Sequence, residues 1–245
     1  MGSVTMGATI GPINTEDSTL KAYWDFAKSS TPDGSISWSE LPTWNAKGYG
    51  ESTAKDTHPY TTSAGLSAAT GFTVSFDINQ TGNGTLLSMT TGNMSQLWRS
   101  LSITMSNNST TGKSTVSAQF LGIPENAVSK TLTLSSTDWT TLTLVGYESA
   151  TVANTLCLDF YVNGDLVGTS TNASATNFVD EIINNMQFGC FGNSGNGAST
   201  NFDNILVYSR ALNAAEVKNL TVPEATAATL SLLALAGLAA RRRRK

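Results

Sequence analysis

A chain of 245 residues has room for one sizeable domain and a short addition. Its 29 Ser and 35 Thr are about a quarter of the residues, and charged residues are only 13%; with Lys, Glu, Arg and Gln scarce, a helical bundle or a doubly wound α/β enzyme is excluded. Five of the 14 basic residues are Arg241 to Lys245, so residues 1–240 set nine bases against 18 acids, a body too acidic for specific nucleic-acid binding.

Met1 to Pro12 holds no Lys or Arg and only scattered apolar residues, so it lacks the basic and apolar regions of an export leader. Set beside the tail described below, this gives the expectation that a leader is missing and that residues 1–19 are a remnant N-terminal segment. From there the apolar residues alternate with the two-residue period of half-buried strands. Phe72, Val74, Phe76 and Ile78 face one way, with Thr73, Ser75 and Asp77 facing the other. Leu101, Ile103 and Met105 alternate with Ser102 and Thr104, and Leu132 and Leu134 with Thr131 and Thr133. Leu142 and Leu144 alternate with Thr141 and Thr143, and Leu156, Leu158, Phe160 and Val162 form the cleanest stripe. Phe202, Ile205, Val207 and Tyr208 mark a last, bulged strand.

Asn163-Gly164 lies between Tyr161-Val162 and Leu166-Val167, which predicts a two-residue type I′ hairpin. Near the end, Asn213 and Glu216 have capping-box spacing, with Leu212 and Val217 as a hydrophobic staple. That short helix is predicted to stop near Leu220, before Pro223. About ten strands and one capped helix describe two antiparallel sheets packed as a sandwich. The fold class is all-β.

Few residues offer covalent chemistry. His58 is the single histidine and no Gly-x-Ser-x-Gly elbow occurs. Glycoside hydrolysis needs two carboxylates flanking the bond. Asp159 stands alone on its strand, and Asp180 and Glu181, being adjacent, point to opposite faces if extended. A noncatalytic protein is expected. For sugar recognition, Trp38 and Trp44 flank Glu40-Leu41-Pro42 in an irregular segment, with Tyr49 and Tyr60 in the same polar region; these are the candidate stacking platforms, whereas Trp24 and Trp139 are expected in the core. Cys157 and Cys190 differ in strand parity, which disfavours a bridge.

Four segments carry a resemblance. Ala22-Tyr23-Trp24-Asp25-Phe26 matches the opening strand of laminin-G-like domains, and Asp138-Trp139-Thr140-Thr141-Leu142-Thr143-Leu144 their Trp-led strand. Phe160 to Gly168 resembles the hairpin that follows, and Phe202 to Val217 the closing strand with its small helix. The resemblance covers roughly residues 20–220 and implies a concanavalin A-like jelly roll over residues 20–221. Such domains often hold one structural calcium at the sandwich rim, for which Asp25, Asp165 and Asp203, together with Asp33 and Asp180, are the candidate oxygens; no other cofactor is expected. The family includes lectins and some glucanases.

The tail, residues 222–245, has a different pattern. Val222-Pro223-Glu224-Ala225 precedes an apolar run over 225–240 and the basic cluster Arg241, Arg242, Arg243, Arg244 and Lys245. As a helix the run would be about 24 Å long, slightly short of a usual span. The order resembles a PEP-CTERM sorting signal, with Ala225 in place of the second proline. That resemblance implies a bacterial export substrate, transiently held in the inner membrane by its C-terminal helix and cut near Pro223 by an exosortase-like enzyme. The expectation is an exported envelope or surface protein that binds carbohydrate or another extracellular polymer. A structural or adhesive protein is the alternative, and a glycoside hydrolase of the same fold comes third.

Overall fold

The structure, a computed structural model, describes residues 12–26, 32–39, 43–45, 49–52, 59–79, 82–91, 100–120, 126–133, 138–172, 182–189 and 199–221, with backbone alone at 43–45 and 49–52. In chain order the strands are β1 (Leu20–Trp24), β2 (Asp33–Gly34), β3 (Thr43–Asn45), β4 (Tyr49–Ser52), β5 (Tyr60–Thr61) and β6 (Leu66–Ser67). Then come β7 (Phe72–Asn79), β8 (Gly84–Thr90), β9 (Ser100–Asn108), β10 (Lys113–Phe120), β11 (Val128–Leu132) and β12 (Thr140–Glu148). Last are β13 (Leu156–Val162), β14 (Asp165–Asn172), β15 (Ile182–Ile183), β16 (Asn185–Phe188), β17 (Thr200–Tyr208) and the helix α1 (Ala214–Asn219).

They form an all-β jelly roll of two main sheets. The larger runs β14-β13-β12-β7-β17-β1-β2, with β4 also pairing β17 and β3 pairing β4. The smaller runs β11-β10-β9-β8-β16-β5, and β15 with β6 makes a separate two-stranded piece. The expected strands are present, except that the one read around Leu132 and Leu134 runs over Val128–Leu132 and Leu134 lies outside the described residues, and the additional ones are mostly fragments of two to five residues.

The core follows from the alternation. Phe72, Val74, Phe76 and Ile78 of β7, Leu142 and Leu144 of β12, and the β13 stripe meet Leu101, Ile103, Val116 and Phe120 of the smaller sheet, all essentially inaccessible. Each such side chain contributes about 1.5–3 kcal/mol of burial. Gly146 is required here, because a Cβ would overlap the ring of Phe72, its register partner. Trp24 stacks on Phe26 inside this core, with ring centroids 4.6 Å apart. Trp139 does not follow the expectation. It lies just ahead of β12, where the chain has not yet entered the sheet, and is only half-buried.

Three local signals have the geometry that their residues dictate. Asn163 and Gly164 take φ of 52° and 75°, the two left-handed residues of a type I′ turn. Asn213 caps α1 by accepting from the Ala215 and Glu216 amides at 3.0 and 3.1 Å, and its own N–H donates to Glu216 Oε2 at 2.9 Å. The β17 bulge lies between Asp203 and Leu206, with Asn204 at φ 46°. It changes the parity of the strand, so Phe202, Ile205 and Val207 enter the core while Leu206 and Tyr208 point to the other side.

That other side, the outer face of the larger sheet, has its own apolar cluster. Val145, Tyr161, Leu206 and Tyr208 are covered by Leu212, Val217 and Leu220 around α1 and by Ile13 and Leu20 of the N-terminal segment. Arg210 clips the two terminal segments together. It donates to Asp17 at 3.0 Å, to both Glu216 oxygens at 2.8 and 3.0 Å, and to Thr19 at 3.1 Å.

Candidate functional site

The outer face of the smaller sheet has the opposite chemistry. Its strands send Leu87, Met89, Leu101, Ile103, Val116, Ala118, Met186 and Phe188 inward, so the residues between them face away from the core. Antiparallel register sets these in rows. One row crosses five strands as Tyr60, Gln187, Ser88, Ser102 and Gln119. A second crosses three as Thr104, Ser117 and Ser129, with Ser117 and Ser129 hydroxyls 2.8 Å apart. At about 4.8 Å per strand the long row is roughly 19 Å across.

The described residues of these rows carry no carboxylate and no cation, only hydroxyls and amides. Such groups both donate and accept, which suits neutral polyhydroxylated ligands. The face has two parts. Ser88, Ser102 and Gln187 are buried, and the Ser102 hydroxyl has no hydrogen-bond partner among the described residues. Thr104, Ser117 and Gln119 are half-exposed, and Ser129 and Thr131 are exposed.

Of the sequence-predicted aromatic platforms, Tyr60 belongs to the long row. Trp38 is half-buried against the core, its ring 6.3 Å from Trp24 and 5.9 Å from Phe188. The neighbouring Ser39 pairs with Tyr60 through two backbone hydrogen bonds of 2.7 and 3.0 Å. The Trp44 backbone is in β3 and that of Tyr49 in β4, and both side chains lie outside the described residues. His58, Asp180, Glu181, Cys190 and the tail 222–245 also lie outside them. Cys157 is a buried free thiol.

The expected calcium ligands do not converge. Asp25, the residue after β1, lies next to Asp203 of β17: Tyr23 donates to Asp25 at 3.2 Å, and the next amide along, that of Phe26, donates to Asp203 at 3.2 Å. Asp165 sits on β14, four strands from β17 or about 19 Å away, with its exposed carboxylate paired to Lys218 at 2.9 Å. The three cannot hold one ion. Among the described residues no group of three or more His, Cys, Asp or Glu could hold a metal.

Two further carboxylates have partners on the larger sheet. Asp77 is the register partner of Asp203 and is buried; it alternates with Phe76 and Ile78, a pattern that reads as a solvent-facing residue. Asp159 accepts from Thr169 at 2.5 Å and from Tyr147 at 3.2 Å on the larger sheet. Burial, together with the Asp159 charge, pushes the Tyr147 phenol up to about 12.

A family profile described as the concanavalin A-like lectin/glucanases superfamily, of laminin-G type, matches residues 52–218. The chain belongs to this superfamily. No curated protein sequence matches it. Among solved structures, this lectin/glucanase-type chain is similar to domain 4 of AbnA, an extracellular arabinanase from Geobacillus stearothermophilus solved with arabinotriose. The TM-score is 0.51 at 13% identity, covering 83% of this chain and 98% of that one. It is also similar to the receptor-binding domain of botulinum neurotoxin type G, with TM-score 0.50, 12% identity and 82% of this chain covered, though only 50% of that one. The binding domain of Paraclostridial Mosquitocidal Protein 1 gives TM-score 0.50 at 15% identity, covering 82% of this chain and 51% of that one. At these identities the likeness is one of fold.

Proposed function

We propose that this is a noncatalytic, exported carbohydrate-binding protein that takes neutral saccharides on the outer face of its smaller sheet. The observation that carries the reading is the accessible part of that face, half-exposed Thr104, Ser117 and Gln119 with exposed Ser129, an uncharged array of hydroxyls and an amide, with half-exposed Tyr60 at the far end of the row that Gln119 begins. A fold shared with a domain solved with arabinotriose is consistent with a sugar ligand. Export, an exosortase-like partner and a transient inner-membrane helix rest on the tail sequence Val222-Pro223-Glu224, its apolar run and Arg241 to Lys245.

The test is a glycan array probed with the full chain, with calcium and again with chelator. Saturable binding to one class of neutral glycan is expected. Loss on chelation would turn attention to Asp25 and Asp203. Silence on a broad array from protein shown folded by circular dichroism would overturn the reading and favour a structural or adhesive role.

A further inference from the structure

The larger sheet holds two buried carboxylates side by side. Asp77 on β7 and Asp203 on β17 are directly opposed in antiparallel register, and they are 1% and 0% exposed. Two charges in one desolvated space are unfavourable, and environment decides which group keeps its charge. Asp203 accepts two backbone N–H groups, from Phe26 at 3.2 Å and from Asn204 at 2.8 Å. Amide donors of that kind favour the ionised form. Asp77 has only neutral side-chain partners: Thr141 Oγ1 lies 2.6 Å from Oδ1, and the Asn204 amide donates to Oδ2 at 2.8 Å.

The surrounding elements offer no described countercharge to Asp77. Its own strand presents Ser75 and Asn79 on this face, β12 presents Thr141 and Thr143, and β17 presents Asn201, Asp203 and Asn204. Asp25, just after β1, adds another acid beyond β17, and Glu51 of β4 is registered with Asn201. Asn163 faces Thr141, accepting its N–H at 2.9 Å. Lys218 of α1 is engaged with Asp165 at 2.9 Å.

We propose that Asp77 is a proton-operated latch on the β7–β17 seam, closed when its carboxyl is neutral and loosened when it ionises. In the closed state the Asp77 O–H donates to Thr141 and the other oxygen accepts from Asn204, so the group is satisfied without charge. On ionisation the proton leaves to solvent and the Thr141 hydroxyl turns to donate, but the charge stays buried beside Asp203. Asn204 makes the latch consequential. It occupies the bulge at φ 46°, and β17 continues directly into the Arg210 clip and α1.

Burial pushes the Asp77 carboxyl up to about 7 from an ordinary 3.8, against the two hydrogen bonds that lower it. The native state therefore binds more protons than the unfolded chain between those values. The latch is fully stabilising below the unfolded value, weakens as pH rises, and is lost above the native one.

The experiment is thermal unfolding of the full chain from about pH 5 to about pH 8, for wild type and Asp77→Asn. Wild type is expected to lose at least ~5 °C of Tm across this range, and the variant to lose most of that slope and to exceed wild type at the alkaline end. A slope unchanged by the substitution would overturn the latch. If the variant does not fold, ¹³C NMR titration of the wild-type Asp77 carboxyl decides: a midpoint near neutrality supports the proposal, and an ordinary aspartate midpoint overturns it.

Discussion

The outer faces of the two sheets differ in what the chain does with them. On the larger sheet, Leu206, Tyr208, Val145 and Tyr161 form a second apolar layer, and the protein covers it with α1 and its own N-terminal segment. On the smaller sheet the rows from Tyr60 to Gln119 and from Thr104 to Ser129 hold mainly Ser, Thr and Gln, which form no apolar layer, and Lys113 at the end of β10 is the charged residue on that face among the described residues. One sheet is closed over by the chain's own terminal segments, while the other keeps hydroxyls and amides at its half-exposed positions, where the proposed ligand would sit. Substitutions should therefore separate the two, with stability falling on one face and binding on the other.

The largest stability effect is expected for Leu206→Ala, which empties a site only 1% exposed in the second apolar layer. Chemical denaturation should show a loss of about 3 kcal/mol, with sugar binding retained in the folded fraction. A loss below about 1 kcal/mol would mean that this layer is not a true core. Arg210→Ala comes next, at about 1–2 kcal/mol at low salt, discounted because the guanidinium and Glu216 are about a third exposed. Its pH dependence has the opposite sign to the Asp77 latch. Asp17 is lowered by its Thr19 hydroxyl and amide hydrogen bonds and by Arg210, and Glu216 by Arg210 first. Their stabilisation is present above the ordinary carboxylate values and lost as pH falls through the depressed ones, so the gap between wild type and variant should close in acid.

Asn213→Ala removes the cap of α1 and should cost about 1 kcal/mol, read as a shift in urea midpoint at constant slope. The smallest stability effect belongs to the other face. Ser117→Ala is expected to change stability by no more than ~0.5 kcal/mol, because its side chain is half-exposed and among the described residues is bonded only to Ser129.

The parts of the fold legible in the sequence are those fixed by neighbours in the chain. The β13–β14 turn needs only Asn163 and Gly164, and the cap needs only Asn213 and Glu216 three residues on. The β7 and β13 stripes follow from local alternation. Less legible were contacts made across the sheet. Asp77 reads as a solvent-facing residue because its Asn204 partner is 127 residues away, and the bulge that brings Asn204 there also changes the parity of β17. The hydroxyl rows were present as Ser102 between Leu101 and Ile103, and Gln187 between Met186 and Phe188. Only strand order and register could align them with Tyr60. The same information separates Asp165 from Asp25 and Asp203, which sequence placed in one set.

The central claim, that the hydroxyl face of the smaller sheet is the ligand face, is tested most directly by an affinity comparison. Wild type, the pair Ser117→Ala and Gln119→Ala together, and Thr169→Ala on the outer face of the larger sheet would be titrated with the same neutral oligosaccharide. The account predicts at least a ~10-fold loss, about 1.4 kcal/mol, for the double variant and wild-type affinity for Thr169→Ala. Wild-type affinity in the double variant, with the loss appearing in Thr169→Ala instead, would contradict it and place the site on the larger sheet.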